Sequence, residues 1–252
     1  MPTPLCVVVT RPTHQAAYLQ RVLTACGHRP LMCPCLIIEP IEPRHHGTPE
    51  VPTERACDIA IFVSRNAVEH ANRIAPLQSR HTSDTKVFAI GPATLDALRA
   101  LGLAPTPLIG APFDSENLLR HPILQDIAGR RVSLYRGVGG RRLISDTLNT
   151  RGAHVVEHVV YRRRAPTDSE FEHSQKDLEL ADVILCGSDE ALTNLVTLAS
   201  ETNRPHLLRT ALIVNSTRGK EHAEHLGFSG CIRVACPAGD DGQLEALARL
   251  AL

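Results

Sequence analysis

A chain of 252 residues, 43% hydrophobic and 21% charged, has the size and balance of one large or two ordinary globular domains, which excludes a disordered tail or a small stapled scaffold. Its 27 basic and 27 acidic residues cancel, so no general attraction to polyanions is expected. With five phenylalanines, three tyrosines and no tryptophan, a base-stacking platform for nucleic acid is excluded too.

Short apolar runs at residues 5–9, 29–33, 59–63, 87–90, 132–135, 155–161, 183–186 and 212–215 predict strands, and helical patterns follow most of them. That alternation is the signature of parallel sheets with crossover helices, an α/β class. Between the second and third runs, residues 39–52 contain Pro40, Pro43, Pro49, Pro52 and Gly47 and read as connector or loop. After the fourth, Gly91-Pro92 supplies a turn residue and a first-turn proline for a helix carrying Leu95, Leu98 and Leu101 on one side. A polar stretch, residues 162–176, follows the sixth. No apolar run approaches the roughly 20 residues of a membrane helix, and no basic region with a long apolar stretch marks a signal peptide at the N-terminus. The cysteines at 6, 26, 33, 35, 57, 186, 231 and 236 form no CxxC pair and are expected to be reduced, mostly buried, cytoplasmic thiols.

The chain also resembles itself at an offset of about 125 residues. Val7-Val8-Val9-Thr10-Arg11 falls on Val132-Ser133-Leu134-Tyr135-Arg136, Gly27 on Gly152, and Ser64 to Val68 on Ser188 to Leu192. Leu101-Gly102-Leu103 falls on Leu226-Gly227-Phe228, and Asp114 with Leu118 on Asp240 with Leu244. The common order argues for two halves of one α/β unit.

A recurring junction, in which a strand ends on a small or hydroxyl residue and feeds a helix, occurs at Thr10, Ser64, Gly91, Arg136-Gly137, Ser188 and Ser216. In a parallel sheet such junctions gather at the carboxyl edge, where helix N-termini offer unpaired N–H groups to anions. For any single serine or threonine a plain N-cap is the favoured reading; it is the convergence of six junctions that would make a cleft rich in donors. The segment Arg136-Gly137-Val138-Gly139-Gly140-Arg141 would let backbone approach a ligand beside two arginines, or form a solvated turn; it lacks the GxGxxG and P-loop patterns. Arginine outnumbers lysine heavily, Lys86, Lys176 and Lys220 being the only lysines, a bias that genome composition accounts for and that is compatible with an anionic ligand, carboxylate or phosphate, without arguing for one. His45-His46 and the pair His222 and His225 lack the further ligands of a metal site, and no GxSxG elbow marks a serine hydrolase. Cys33-Pro34-Cys35 reads as buried rather than catalytic. Tyr161, ahead of Arg162-Arg163-Arg164, is either a packing residue or a phenol whose anion those cations favour, hence a proton donor.

Taken together, Thr10-Arg11-Pro12, Phe62 to Val68, Ala89 to Thr94 with Ala97-Leu98 and Gly102, Ser115 to Leu119, Arg136-Gly137 with Gly140-Arg141, Leu148 with Arg151-Gly152-Ala153 and Val155, Tyr161-Arg162-Arg163, Ser188 to Leu192 with Asn194-Leu195, and Ser216 with Ala223 and Gly227 resemble the uroporphyrinogen-III synthase family over nearly the whole chain. The resemblance implies two similar flavodoxin-like, doubly wound parallel-sheet domains joined by a two-stranded connector. Residues 1–37 with 166–252 would form a discontinuous outer domain and residues 42–160 an inserted one, with connectors near 37–42 and 160–166. It implies cyclisation of hydroxymethylbilane to uroporphyrinogen III with ring inversion and loss of water, by way of an azafulvene and a spiro intermediate. No cofactor or metal is implied. Tyr161 is expected as the acid, and Thr10, Arg11, Ser64, Asn66, Gly91, Thr94, Arg136, Gly137, Gly140, Arg141, Ser188, Glu190, Asn194 and Ser216 as substrate-binding residues. A cytoplasmic monomer is expected, with transient contact to hydroxymethylbilane synthase and no nucleic-acid or membrane partner. A noncatalytic relative that binds a tetrapyrrole or polycarboxylate is the alternative; a nucleotide-dependent transferase is disfavoured by the missing fingerprints.

Overall fold

A computed structural model describes residues 3–41, 57–81, 84–108 and 113–250. Its elements in chain order are β1 (Cys6–Val9), α1 (Ala17–Ala25), β2 (Arg29–Met32), β3 (Ile37–Pro40), β4 (Ile59–Phe62), α2 (Arg65–Ile74), α3 (Leu77–Arg80), β5 (Lys86–Ala89), α4 (Pro92–Ala100), β6 (Pro105–Thr106) and α5 (Ser115–Arg120). They continue as β7 (Arg131–Gly137), α6 (Leu143–Thr150), β8 (His154–Arg164), α7 (Asp168–Glu179), β9 (Val183–Cys186), α8 (Asp189–Leu198), α9 (Arg204–Leu207), β10 (Ala211–Val214), α10 (Thr217–His225), β11 (Ile232–Val234) and α11 (Asp240–Ala248). Two compact units result: Met1–Ile37 with Arg164–Leu252, and Ile38–Arg163.

The first unit is built on the sheet β11-β10-β9-β1-β2, whose pairings are all parallel. Because successive side chains on a strand point to opposite faces, Val8, Ile184 and Leu212 pack with Phe171, Leu192 and Leu195 on one side. Val7, Val9, Leu185 and Ile213 pack with Leu19, Leu23 and Leu247 on the other. Covered on both faces, these strands read as the continuous apolar runs seen in the sequence.

The second unit is built on β3-β8-β7-β4-β5-β6. Ile59, Ile61, Val132 and Leu134 meet Leu118, Leu124 and Leu148 on one face, while Ala60, Phe62, Val87 and Tyr135 meet Val68, Leu77 and Leu98 on the other. Neighbouring positions on β4, β7 and β8 carry Phe62, Tyr135 and His158, which stack as a ladder with centroids 4.5 and 4.6 Å apart.

The repeat is visible in the pairing. An offset of 125 carries the β1–β2 partners Cys6 and Arg29 onto the β7–β8 partners Arg131 and His154. The β4–β5 partners Ile59 and Lys86 correspond, at offsets of 124 and 125, to the partners Val183 and Ala211 of β9–β10. Setting the edge strand β3 aside, each sheet therefore takes the first two strands of one repeat and the other three strands of the other.

Several expectations change. Glu39 and Pro40 end a strand; most of residues 39–52, with His45-His46, lies outside the described residues. Within the polar stretch 162–176, Arg162 to Arg164 extend β8 and α7 starts from a capping box between Thr167 and Glu170. The cysteines are not mostly buried: Cys33, Cys35 and Cys186 are, packed in the core with Phe171 and Leu192, whereas Cys6 and Cys57 are half-buried and Cys26, after α1, and Cys231 and Cys236, on either side of β11, are exposed. Burial pushes the Cys35 and Cys186 thiols up, which leaves them protonated and inert.

His81 and His158 are buried among Phe62 and Tyr135, and burial first, then the charge of Arg80, pulls each down to about 4. Unfolding restores an ordinary imidazole that binds protons below about pH 6.5. The unfolded chain then holds more protons than the folded one between about pH 6.5 and 4, so stability falls as the pH drops through that window. The unfolding free energy measured by urea titration is expected to decline over this range by a few kcal/mol in total, and His81→Leu is expected to flatten the decline.

Candidate active site

In a doubly wound sheet, ligands bind outside the carboxyl ends of the strands at the point where strand order reverses. In the unit Ile38–Arg163 that point lies between β4 and β7, and the chain leaves these strands through Val63-Ser64 and Gly137-Val138. Ser64 caps α2, its Oγ accepting the Ala67 N–H at 3.2 Å. The same Oγ lies 3.0 Å from the phenol oxygen of Tyr161.

A β-bulge delivers Tyr161 to this place. Along β8, His158 and Val160 face inward and Val159 outward, as alternation requires, but Tyr161 is buried directly after Val160. The register slips between Arg136 and Gly137, which pair with Val159 and Tyr161, so β8 carries one residue more than β7 here. That slip turns Tyr161 onto the face of Phe62 and Val68. Its ring lies against the Cα of Gly137, where a Cβ would come within 2.6 Å of the ring's Cζ. Space, rather than a left-handed backbone, demands glycine at this position. His70 of α2 stacks on the same ring, with centroids 5.7 Å apart and planes 22° apart, and the Val138 N–H donates to the Tyr161 carbonyl at 2.9 Å.

The cations expected around the phenol are engaged elsewhere. Arg162 pairs with Glu39 at 2.7 Å, and Arg164 grips Glu170 with both terminal nitrogens at 2.7 and 2.9 Å. That hydrogen bonding holds the Glu170 carboxyl down at about 2. Tyr161 thus has a serine hydroxyl and a helix N-terminus for company, not a cluster of arginines.

The other expected residues of this unit take varied places. Asn66 is half-buried in the first turn of α2. Gly91, at φ +86°, precedes α4, whose Thr94 is buried and donates to the Ile90 carbonyl at 2.7 Å. Arg136 is buried; it pairs with Glu157 at 3.2 Å and donates to the Gly139 carbonyl, so it braces the glycine turn from beneath. Gly139 and Gly140, at φ +75° and +82°, give that turn its left-handed steps. Arg141 is exposed and meets Glu116 at 2.5 Å.

In the discontinuous unit the reversal lies between β1 and β9. Thr10 is buried and donates to the Leu185 carbonyl at 3.0 Å, so it ties the two strands and caps no helix. Arg11, the repeat equivalent of Arg136, is bound to Asp240. Ser188 and Ser216 cap α8 and α10 through the Ala191 and Gly219 N–H groups, at 3.2 and 3.0 Å. Asn215 spans between them, donating to the Gly187 carbonyl and accepting from the Gly239 N–H, and a small cavity opens among Gly187, Ser188, Asn215 and Ser216. Asn194 donates to the Cys35 carbonyl at 2.9 Å. Glu190 shares the first turn of α8 with Asp189, and two carboxylates there oppose an anion, whereas the first turns of α2, α4 and α10 carry none.

The arrangement brings Ser64, Gly137 and Tyr161 together around one phenol, with His70 as a member that sequence reading missed; Glu157, the partner of Arg136, was missed as well. His70 carries no signal beyond its place on the inner face of α2, and Glu157 none beyond its position one strand from Arg136. Among the described residues no group of three or more His, Cys, Asp or Glu side chains could hold a metal ion, and no helix is long and apolar enough to cross a membrane. His222 is bonded to Thr193, and His225 to the Glu221 carbonyl.

The family model for uroporphyrinogen-III synthase HemD matches residues 17–234. The uroporphyrinogen-III synthase of Escherichia coli K12 is 32% identical over 252 residues, covering 96% of this chain and 99% of that one, and that of Salmonella typhimurium is 33% identical with the same coverage. Among solved structures, the Helicobacter pylori uroporphyrinogen-III synthetase shares the fold with a TM-score of 0.61 at 15% identity, over 97% of this chain and 99% of that one. A mutant uroporphyrinogen III synthase from Thermus thermophilus does so at 0.59 and 16%, over 96% and 97%.

Gly137→Ala is expected to overpack the Tyr161 ring and to destabilise the protein by about 1–3 kcal/mol. Urea unfolding measures this, with the exposed neighbour substitution Val138→Ala expected to change little; a neutral Gly137→Ala would contradict the steric account.

Proposed function

The chain belongs to the uroporphyrinogen-III synthase family, and from that premise we propose that Tyr161 is the acid of its reaction. The enzyme is a cyclising hydro-lyase of tetrapyrrole biosynthesis that converts hydroxymethylbilane to uroporphyrinogen III, with loss of water and inversion of the last ring. The observation that carries the assignment of Tyr161 is its hydroxyl at a strand-order reversal, 3.0 Å from Ser64 at the N-terminus of α2.

The difficult step is departure of the terminal hydroxyl, which needs a proton. A phenol held beside a helix N-terminus supplies one and keeps the resulting oxyanion favourable. Loss of water leaves an electrophilic azafulvene, which the far end of the chain attacks to give the spiro intermediate. The remaining work is conformational, since the linear substrate must be held in the shape that closes with inversion.

The carboxylate-rich substrate calls for donors, and each unit has an edge lined with them. The acid-free first turns of α2, α4 and α10 suit its carboxylates, which gives Ser216, Gly91 and Asn66 the binding roles. Arg136 and Thr10 support these edges from within. Ser188, Glu190 and Asn194 shape the edge around α8. Arg11 and Arg141, each holding a carboxylate partner, are the cations a substrate carboxylate would share or exchange. On this proposal the enzyme acts as a cytoplasmic monomer without a cofactor, supplied by transient contact with hydroxymethylbilane synthase.

Generating hydroxymethylbilane in place from porphobilinogen and its deaminase, then resolving the oxidised products by isomer, tests the activity. A dominant type III product is expected, where spontaneous closure gives type I; unchanged type I product from folded protein would favour a tetrapyrrole-binding module instead. Tyr161→Phe is expected to lower turnover by more than about tenfold with the fold intact, and Ser216→Ala to act mainly through a few-fold rise in KM.

A further inference from the structure

Ser64 can do more than cap a helix, and its hydrogen bonds restrict what that is. A serine oxygen has one proton and two lone pairs. The Ala67 N–H occupies one lone pair. Two arrangements with Tyr161 then remain: the phenol donates to Oγ, or Ser64 donates to the phenol oxygen and leaves the phenol's own proton free. A phenolate only accepts, so once Tyr161 has given its proton away the second arrangement is the only one.

The ring cannot swing off to find another partner. Gly137 lies against it, His70 stacks on it, and the Tyr161 carbonyl is tied to the Val138 N–H. The repeat supplies a control within the same chain. Ser188, equivalent to Ser64, caps α8 through the Ala191 N–H at the same 3.2 Å, but position 36, which corresponds to Tyr161, is leucine. One serine cap faces a phenol and the other faces none.

Resting on the reading of Tyr161 as the acid, we propose that Ser64 is a positioning residue that acts through Tyr161, aiming its proton outward and donating to its phenolate, and is not a donor to substrate carboxylates. In the step, the Tyr161 proton passes to the departing hydroxyl oxygen. The carbon–oxygen bond breaks with its electron pair, and water leaves. The positive charge stays on the pyrrole-conjugated carbon, the negative charge on the phenolate. Ser64 Oγ–H rotates to that phenolate with the N-terminus of α2 behind it. The proton that the substrate sheds when its rings regain aromaticity returns to Tyr161, so the cycle closes without a co-reactant.

Ser64→Gly, which an N-cap tolerates, is expected to lower kcat about tenfold with KM nearly unchanged, and to cost nothing further in a Tyr161→Phe background. Ser64→Thr, which keeps the hydroxyl, is expected to restore kcat. A loss expressed in KM, failure of threonine to rescue a folded protein, or additivity with Tyr161→Phe overturns the assignment of Ser64 and leaves Tyr161 as the acid. Near-normal turnover by Tyr161→Phe overturns the acid reading instead.

Discussion

Parallel pairing is the constraint on which everything else here rests. It sends every strand's carboxyl end to one edge, so the helices that follow must begin there with their first N–H groups unspent. The same pairing needs cover on both faces, which Val7 and Val9 on one side and Val8 on the other provide. A core built in this way leaves polar chemistry one place to go, the rim where strands hand over to helices. Ser64, Ser188 and Ser216 stand on that rim for one backbone reason, and any chemical role they have is laid over it.

The two units share a pairing scheme and differ in what they add to it. At the reversal in one, Thr10 is spent on the Leu185 carbonyl and Arg11 on Asp240. At the other, a slipped register, a glycine and a histidine ring fit a phenol beside a serine. The repeat provides two equivalent rims, and the residues set at equivalent places, Tyr161 at one and Leu36 at the other, make them unequal.

The architecture was largely legible because buried parallel strands are nearly all apolar. Each of the eight strands expected from apolar runs exists; β3 falls where the resemblance sets the first connector, and the two that escaped notice, β6 and β11, are short sheet edges with little cover, where the hydrophobic signal fades. Tyr161 was legible as a candidate, its surroundings were not. Counting along the strand sets Arg162 to Arg164 beside it, whereas the bulge and the partners Glu39 and Glu170 decide otherwise. Arg136 reads as a free donor next to glycines, yet Glu157, supplied by the neighbouring strand, holds it inside. Such pairings depend on register, which composition does not encode.

The exchange of strands between repeats bears on the order of events at the ribosome. The unit Ile38–Arg163 is one continuous stretch and holds all its strands once Arg163 has emerged. Strand β1 is made among the first residues but pairs on one side with β9, which follows β2 by about 150 residues. At roughly 5–20 residues per second, the hydrophobic face of β1 waits from under ten to about thirty seconds for its cover. The first strand synthesised is among the last to be buried, and during that interval β1 and β2 are an exposed apolar fragment for which a nascent-chain chaperone is the natural guardian.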